Sequence, residues 1–104
     1  MELRRFKRAP INRPVLFAPR DDDAFSDGVA VDISLGGMFV TSKFPLEFGV
    51  EATIHLTLDA SELVLPGIVR WTRPGGMGVQ FAPLGARETF VITEIVRQFE
   101  ETSR

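Results

Sequence analysis

The sequence predicts a mostly β fold: a six-stranded antiparallel β-barrel followed by one C-terminal α-helix. Short segments in which apolar and polar residues alternate are separated by turns rich in glycine and proline, as expected of half-buried strands. The last segment begins at Ala86 and lacks both glycine and proline, and its apolar residues recur at helical spacing. Several short strands followed by a single helix favour a small barrel with the helix packed against it.

The six strands are predicted in chain order by their alternation and by the turns between them. The segments are residues 13–17, 28–34, 38–42, 50–58, 62–72 and 78–81. In the second segment Val29, Val31 and Ile33 alternate with small or polar residues, the pattern of a half-buried strand. Gly36 and Gly37 then break the strand, because glycine permits positive φ.

The later elements carry more specific expectations. In the fourth strand one face is apolar, with Ala52, Ile54, Leu56 and Leu58. Pro66-Gly67 is expected to form a bulge or kink in the fifth strand. Trp71 is expected in the barrel core or against the helix, with a pocket lining as the alternative. The helix is predicted over about 86–102, and its apolar stripe must cover the barrel or a second subunit. That stripe comprises Phe90, Val91, Ile95 and Phe99, with Ile92 and Val96 beside them.

The charge distribution divides the chain into a flexible basic arm over residues 1–11 and a single barrel domain over residues 12–104. Pro10 and Pro14 exclude a helix through the arm. Residues 1–20 hold six of the 12 basic residues and one acid, a net +5, and the remainder is net −7. A basic arm on an acidic body indicates a local anionic ligand. The same charge distribution argues against a nucleic-acid polymer as partner, since a nucleic-acid-binding face would make the whole domain basic.

Several classes of chemistry lack the residues they require. The absence of cysteine excludes disulfides and thiolate chemistry. No apolar segment is long enough to cross a bilayer and no signal peptide precedes the domain, so we expect a cytoplasmic protein without membrane insertion. His55, the single histidine, falls on a polar strand face, and no pattern pairs Ser34 with a base. We therefore expect no enzyme, no catalytic residue and no cofactor. The acids at 21–23 are expected to form a solvated turn rather than a metal site.

Two motifs stand out in the order in which they occur. Arg4 and Arg8 form an R-x-x-x-R pattern, and Asp32, Ser34 and Gly37 form a D-x-S-x-x-G pattern. Together, with strands between them, they resemble the PilZ family, whose members couple these two motifs on a six-stranded barrel that ends in a helix. Both motifs are complete here. Further similar segments are residues 36–40, 67–71 and 76–81.

The resemblance implies that the ligand is cyclic di-GMP. Arginine forks bind phosphate oxygens and stack on bases, and a carboxylate can accept the guanine N1–H and N2–H donors. By resemblance, Arg4 and Arg8 hold phosphate and base with the help of Arg5. On the barrel side Asp32 accepts from guanine, Ser34 bonds base or phosphate, and the glycines bring backbone N–H groups close to the ligand. The expected binding residues are Arg4, Arg5, Arg8, Asp32, Ser34, Gly36 and Gly37.

A mechanism and its alternatives follow from this assignment. The arm is expected to be mobile until the ligand phosphates draw it onto the barrel, after which arm or barrel contacts a protein partner. Phe6 either stacks on a base or anchors the arm. Leu3, just before the first motif, favours one bound ligand molecule by the same resemblance, and the protein is either a monomer or a homodimer. Two other functions stay open: a PilZ-like scaffold without ligand binding, and a small barrel for single-stranded nucleic acid, which the acidic remainder opposes.

Overall fold

The computed structural model describes residues 6–102 and has the architecture that the sequence predicts. Its elements are β1 (Ala9–Pro19), β2 (Ser26–Ile33), β3 (Gly37–Thr41), β4 (Glu51–Leu58), β5 (Ser61–Arg73), β6 (Gly76–Phe81) and α1 (Ala86–Thr102). The strands close into a barrel in the order β1-β2-β3-β6-β5-β4, and each neighbouring pair is antiparallel. The predicted barrel and the predicted helix bounds are confirmed.

Strict alternation builds the core where the strands are regular. Along β4 the side chains of Ala52, Ile54, Leu56 and Leu58 are buried, and the residues between them face outward. The largest buried side chains come from all six strands and the helix, so that one continuous core fills the barrel. They include Phe17, Ile33, Met38, Ile54, Leu65, Met77 and Ile92.

The first strand begins earlier than the sequence indicated. It starts at Ala9, which is buried and lies opposite Ile33 of β2, so residues 9–11, expected in the arm, belong to the strand. The alternation was hidden because the register shifts between Pro10 and Arg13, and Asn12 adopts a positive φ of 51° there. Such a bulge inserts an extra residue and breaks the period of two.

A second bulge changes which residues of β2 face the core. Ala30 lies opposite Val40 and Asp32 lies opposite Phe39, so Val31 is the extra residue. Ala30 is therefore buried together with Ile33, and Val29 is exposed. The sequence pattern placed Val29, Val31 and Ile33 on one face of a regular strand. The bulge at Val31 breaks that alternation, so Val29 and Ile33 no longer share a face.

A third bulge lies in β5, at a different place from the one predicted. Pairing with β4 continues without a break through Pro66 and Gly67, so these two residues form no bulge. The register shifts instead between Val69 and Trp71, which makes Arg70 the extra residue. Pro66 is tolerated in the strand because β6 ends at Phe81, opposite Gly67, so Pro66 lies just beyond the β5–β6 ladder, where a missing N–H breaks no strand pairing.

The helix packs on the barrel with a narrower apolar stripe than predicted. Ile92 is buried, and Val91, Ile95 and Val96 are half-buried against the core. Phe90 remains 65% exposed and Phe99 38%, because Phe90 lies on the opposite side of the helix from the buried Ile92 and Phe99 lies near the helix end. Within residues 6–102 no helix has both the length and the apolar character needed to cross a bilayer.

Candidate ligand-binding cleft

One row of residues crosses four neighbouring strands on the outer surface of the barrel. Asp32 of β2 lies opposite Phe39 of β3, Phe39 lies opposite Gly78 of β6, and Gly78 lies opposite Trp71 of β5. Without the extra residue in β2, Asp32 would share the inward direction of Ala30, because strand side chains alternate. The two bulges thus turn a carboxylate and an indole outward, toward the same surface.

Phe39 and Trp71 form an aromatic platform in this row, and the Arg73 guanidinium lies over it. The Phe39 and Trp71 rings are stacked, with centroids 5.2 Å apart and an interplanar angle of 25°. The Arg73 guanidinium carbon lies 5.4 Å from the Phe39 centroid and 5.3 Å from the Trp71 centroid, within the range of cation–π attraction. Gly78 lies between the rings on β6, and a Cβ there would come within 2.0 Å of the Trp71 Nε1. The platform therefore requires glycine at this position.

The basic arm meets the row at Asp32. Arg8 Nη2 donates to Asp32 Oδ1 at 2.9 Å, and the Phe39 backbone N–H donates to the same oxygen at 3.2 Å. Both side chains of the ion pair remain partly exposed. The pairing of Pro10 with Asp32 carries the arm to this point. The structure thus brings together Arg8 and Asp32, as the motifs predict, whereas Arg4 and Arg5 lie outside the described residues.

The Ser34 hydroxyl closes the corner between β2 and β3. Its Oγ accepts hydrogen bonds from the N–H groups of Gly36 and Gly37 at 3.0 and 3.2 Å, and it lies 3.4 Å from the Gly37 carbonyl oxygen. Ser34 is 0% exposed, and the cleft beside the corner is lined by Gly37 but not by Ser34 among residues 6–102. The hydroxyl and both glycine N–H groups are thus engaged within the corner itself.

The glycines of this corner are needed for a reason other than the one predicted. The predicted break between β2 and β3 is present, but it uses no positive φ, because the glycines with positive φ in residues 6–102 are Gly49 and Gly75. Gly37 instead faces the backbone of β6, where an added Cβ would lie 2.1 Å from the Val79 carbonyl oxygen. The close approach of two strands therefore excludes a side chain here.

Ser34→Ala should lower the free energy of unfolding by about 1–3 kcal/mol, because it leaves the buried Gly37 N–H and the half-buried Gly36 N–H without an acceptor. Chemical denaturation measures the change. Ser61→Ala is the matched control, since it removes a hydroxyl that is half-exposed at the start of β5 and should change stability by no more than about 0.5 kcal/mol. Unchanged stability together with lost ligand binding would instead assign the Ser34 hydroxyl to the ligand.

The platform and the ion pair line one cleft of about 340 Å³. Among residues 6–102, three guanidiniums line it, from Arg8, Arg70 and Arg73, against the single carboxylate of Asp32. Arg70 Nε also donates to Gln80 Oε1 at 2.7 Å, which fixes it at the cleft wall. The net charge of +2 in the lining contrasts with the −2 of the whole chain. Such a cleft suits an anion that carries a planar aromatic group.

The sequence did not identify most of the cleft wall. It missed Phe39, Arg70, Arg73 and Gln80, and it gave Trp71 a pocket position only as an alternative. Segment 70–73 reads Arg-Trp-Thr-Arg, and two arginines around a tryptophan at a strand end are a usable signal for a charged aromatic surface. The obstacle was the bulge at Arg70, because regular alternation from the buried Val69 places Trp71 inside the barrel.

The described root of the arm rests against the helix. Phe6 lines a groove together with Leu35 and Val96, and Lys7 Nζ lies 3.3 Å from Glu100 Oε2. Phe6 is thus placed to anchor the arm and is not among the residues lining the cleft in the described part of the chain. The position of Phe6 agrees with the anchoring alternative, and stacking on a base stays a prediction.

Comparisons with known proteins agree with the motifs and the fold. The family model described as "PilZ domain" matches residues 2–100. The PilZ domain of CeSA from a cellulose-synthesizing bacterium is 27% identical, with 89% of this chain and 97% of that chain covered and a TM-score of 0.73. The PilZ domain of YcgR from Escherichia coli, solved with c-di-GMP, is 16% identical over 96% and 93% of the two chains, with a TM-score of 0.72.

A third similar structure belongs to a longer protein. The inhibitor of motility MotI/DgrA from Bacillus subtilis is 15% identical, and 95% of this chain covers 52% of that one at a TM-score of 0.74. No curated protein matches the sequence significantly. Because the family model spans almost the whole chain and the sequence carries both signature motifs, this protein belongs to the PilZ domain family.

Proposed function

We propose that this PilZ domain is a cytoplasmic cyclic di-GMP receptor without catalytic activity, and that it acts as an adaptor toward a protein partner. The observation that carries the proposal is the aromatic platform beside the Arg8–Asp32 pair in one cleft. Cyclic di-GMP combines two anionic phosphodiester groups with two flat guanine bases. The cleft offers guanidiniums for the first and stacked rings with a carboxylate for the second.

Each group in the cleft has a distinct task in this proposal. The Asp32 carboxylate accepts the N1–H and N2–H donors of one guanine, while the platform stacks on a base. Arg8, Arg70 and Arg73 face the phosphate oxygens as charge-assisted donors. Asp32 already holds Arg8 at 2.9 Å, so the carboxylate positions this guanidinium before the ligand arrives. Ser34, Gly36 and Gly37 support the site by keeping the β2–β3 corner closed.

The remaining arginines of the arm complete the site. In the proposal Arg4 and Arg5 close over the bound ligand, and this closure is the ordering step that presents a new surface to the partner. Lys7 and Phe6 hold the root of the arm against the helix and corner, so the proposed closure starts from an anchored root. Leu3 before the motif favours a single ligand molecule in the closed state.

Titration with cyclic di-GMP should quench or shift the fluorescence of Trp71, the only tryptophan, because the indole lies in the cleft wall. Calorimetry on the same samples gives affinity and stoichiometry, and added salt should weaken the binding since phosphate contacts are screened. Phe90→Ser alters an exposed residue outside the cleft and should bind as the wild type does. Neither heat nor a fluorescence change at saturating ligand would remove the receptor assignment.

A scaffold that works through protein contacts alone is the second candidate. The observation in its favour is that Arg8 and Asp32 satisfy each other in the structure, so the motif can be stable without ligand. The same titration separates the two candidates. A scaffold shows no response to cyclic di-GMP with or without Arg8, whereas a receptor binds the ligand and loses affinity when Arg8 is replaced.

A further inference from the structure

A second surface of the barrel has the composition of a protein-docking site. Leu16 of β1, His55 of β4 and Val64 of β5 lie directly opposite one another across three strands. The Phe25 ring meets the His55 ring edge-on at 5.0 Å. These four residues are defined here as the apolar patch. Leu16 is 50% exposed, Val64 49% and Phe25 42%.

The exposure of these side chains is unusual for their position. The outer face of an antiparallel barrel normally carries polar residues, because the inner face takes the apolar ones. Single exposed apolar residues need no explanation, but a contiguous group marks an interaction surface. Directly opposed residues on neighbouring strands are in side-chain contact, so the register makes Leu16, His55 and Val64 one contiguous surface. A shallow groove of about 390 Å³ follows it.

The charges around the patch are negative. Within residues 6–102 the groove lining contains the carboxylates of Asp27 and Glu62 and no lysine or arginine. Asp27 lies opposite Leu16 in the register, and Glu62 lies two residues before Val64 on the same strand face. Arg87 donates to the Glu62 carbonyl oxygen at 2.9 Å, and its charge is opposed by Glu88 at 3.6 Å. The patch is therefore an apolar centre with an acidic rim.

We propose that the apolar patch docks a partner protein segment that inserts apolar side chains and flanks them with lysine or arginine. The acidic rim opposes the alternatives: nucleic acid and anionic membranes would bring further negative charge to it. A symmetric second copy would place the same patch against itself, and Asp27 and Glu62 would face like charges. A basic-flanked apolar segment satisfies both parts of the surface.

The position of the patch keeps it separate from the cleft. In the closed strand order β1-β2-β3-β6-β5-β4, the β1–β4 pair is diametrically opposite the β3–β6 pair. Leu16 and His55 lie on the first pair, and Phe39 and Gly78 lie on the second. A partner on the patch therefore leaves the cleft open to its ligand. The inference rests on the adaptor part of the proposed function and is independent of its ligand-binding part.

A random-peptide display library panned on the full chain tests the proposal, with counter-selection on the double variant Leu16→Thr/Val64→Thr. Both substitutions replace exposed strand residues with a residue of high strand propensity, so the barrel should keep its melting temperature. We expect peptides with apolar residues between lysines or arginines. Fluorescence anisotropy should show about tenfold or greater loss of their affinity for the double variant.

Charge variants complete the experiment. Asp27→Asn/Glu62→Gln should weaken the same peptides severalfold and flatten their salt dependence, whereas Glu94→Gln/Glu101→Gln, the same change on the helix, should not. All variants should keep wild-type cyclic di-GMP binding, which separates this test from that of the receptor. Peptides that are acidic, or that bind the double variant equally well, would overturn the proposal. Sedimentation that shows a wild-type dimer dissociated by Leu16→Thr/Val64→Thr would overturn it in favour of a second copy.

Discussion

Asp32→Ala should weaken cyclic di-GMP binding by about ten- to hundredfold, because the variant loses a charged acceptor worth about 1.5–3 kcal/mol. Asp32 Oδ1 is the point where the arm, through Arg8, and the barrel, through the Phe39 N–H, converge. Its loss removes the guanine acceptor and also releases Arg8. Calorimetry at constant ionic strength measures the effect, and Asp32→Asn, which keeps one oxygen for the Phe39 N–H, should fall between wild type and alanine.

Base selectivity identifies which part of the ligand Asp32 contacts. Cyclic di-AMP carries the same phosphates, but adenine lacks the N2 amino donor of guanine. The wild type should therefore prefer cyclic di-GMP, and Asp32→Ala should lose most of this preference. Trp71→Ala should instead weaken both ligands, since stacking is tolerant of base identity and is worth about 1–3 kcal/mol per base. Equal binding of both dinucleotides by the wild type would contradict the role given to Asp32.

A double-mutant cycle tests whether Asp32 also positions Arg8. Arg8→Ala and Asp32→Ala should each cost affinity, but the double variant should lose less than the two losses combined, by at least about 0.5 kcal/mol. The reason is that removing Asp32 already frees Arg8 from the 2.9 Å contact that orients it. Arg8→Lys should not restore binding, because an ammonium cannot reproduce the planar fork. Strictly additive losses would show that the two residues act on the ligand independently.

Regular parts of the fold were predictable from the sequence, and irregular parts were not. The alternation through 50–58 identified the buried residues of β4, and the glycine- and proline-free segment from Ala86 identified the helix. The three bulges carry no comparable pattern, because an extra residue interrupts the period of two on which the prediction depends. They hid the start of β1 at Ala9, the burial of Ala30 and the outward direction of Trp71.

The candidate site was likewise predictable only in part. The motifs located Arg8 and Asp32, because short signature spacings can be read directly from the chain. The platform could not be located in this way, since Phe39 and Trp71 are 32 positions apart and meet only through the pairing of each with Gly78. Ser34 shows that a motif can identify a residue without identifying its role. Only the contacts of its hydroxyl show that it holds the β2–β3 corner together.

Gly37→Ala should destabilise the barrel by about 3 kcal/mol or more, the upper part of the range for overpacking. The added Cβ would lie 2.1 Å from the Val79 carbonyl oxygen and 3.1 Å from its carbonyl carbon. Both are backbone atoms of β6, so no side-chain rotation can relieve the contact, and β3 must move away from β6. For a domain of this size the melting temperature should fall by about 10 °C or more, measurable by calorimetry or circular dichroism.

Gly85→Ala is the matched control, since its Cβ would meet only Glu88 Oε1, at 2.9 Å, the far end of a flexible side chain. It should lower stability by no more than about 1 kcal/mol, because Gly85 is the N-cap residue of α1, where alanine is only a somewhat poorer cap than glycine. The cleft depends on the same contact, because Gly37 and Met38 on β3 and Val79 on β6 all line it. If the Gly37→Ala variant folds, it should also bind cyclic di-GMP more weakly than wild type, because β3 and β6 lie further apart. A variant with wild-type melting temperature and affinity would show that neither the barrel closure nor the cleft requires the close approach of these two strands.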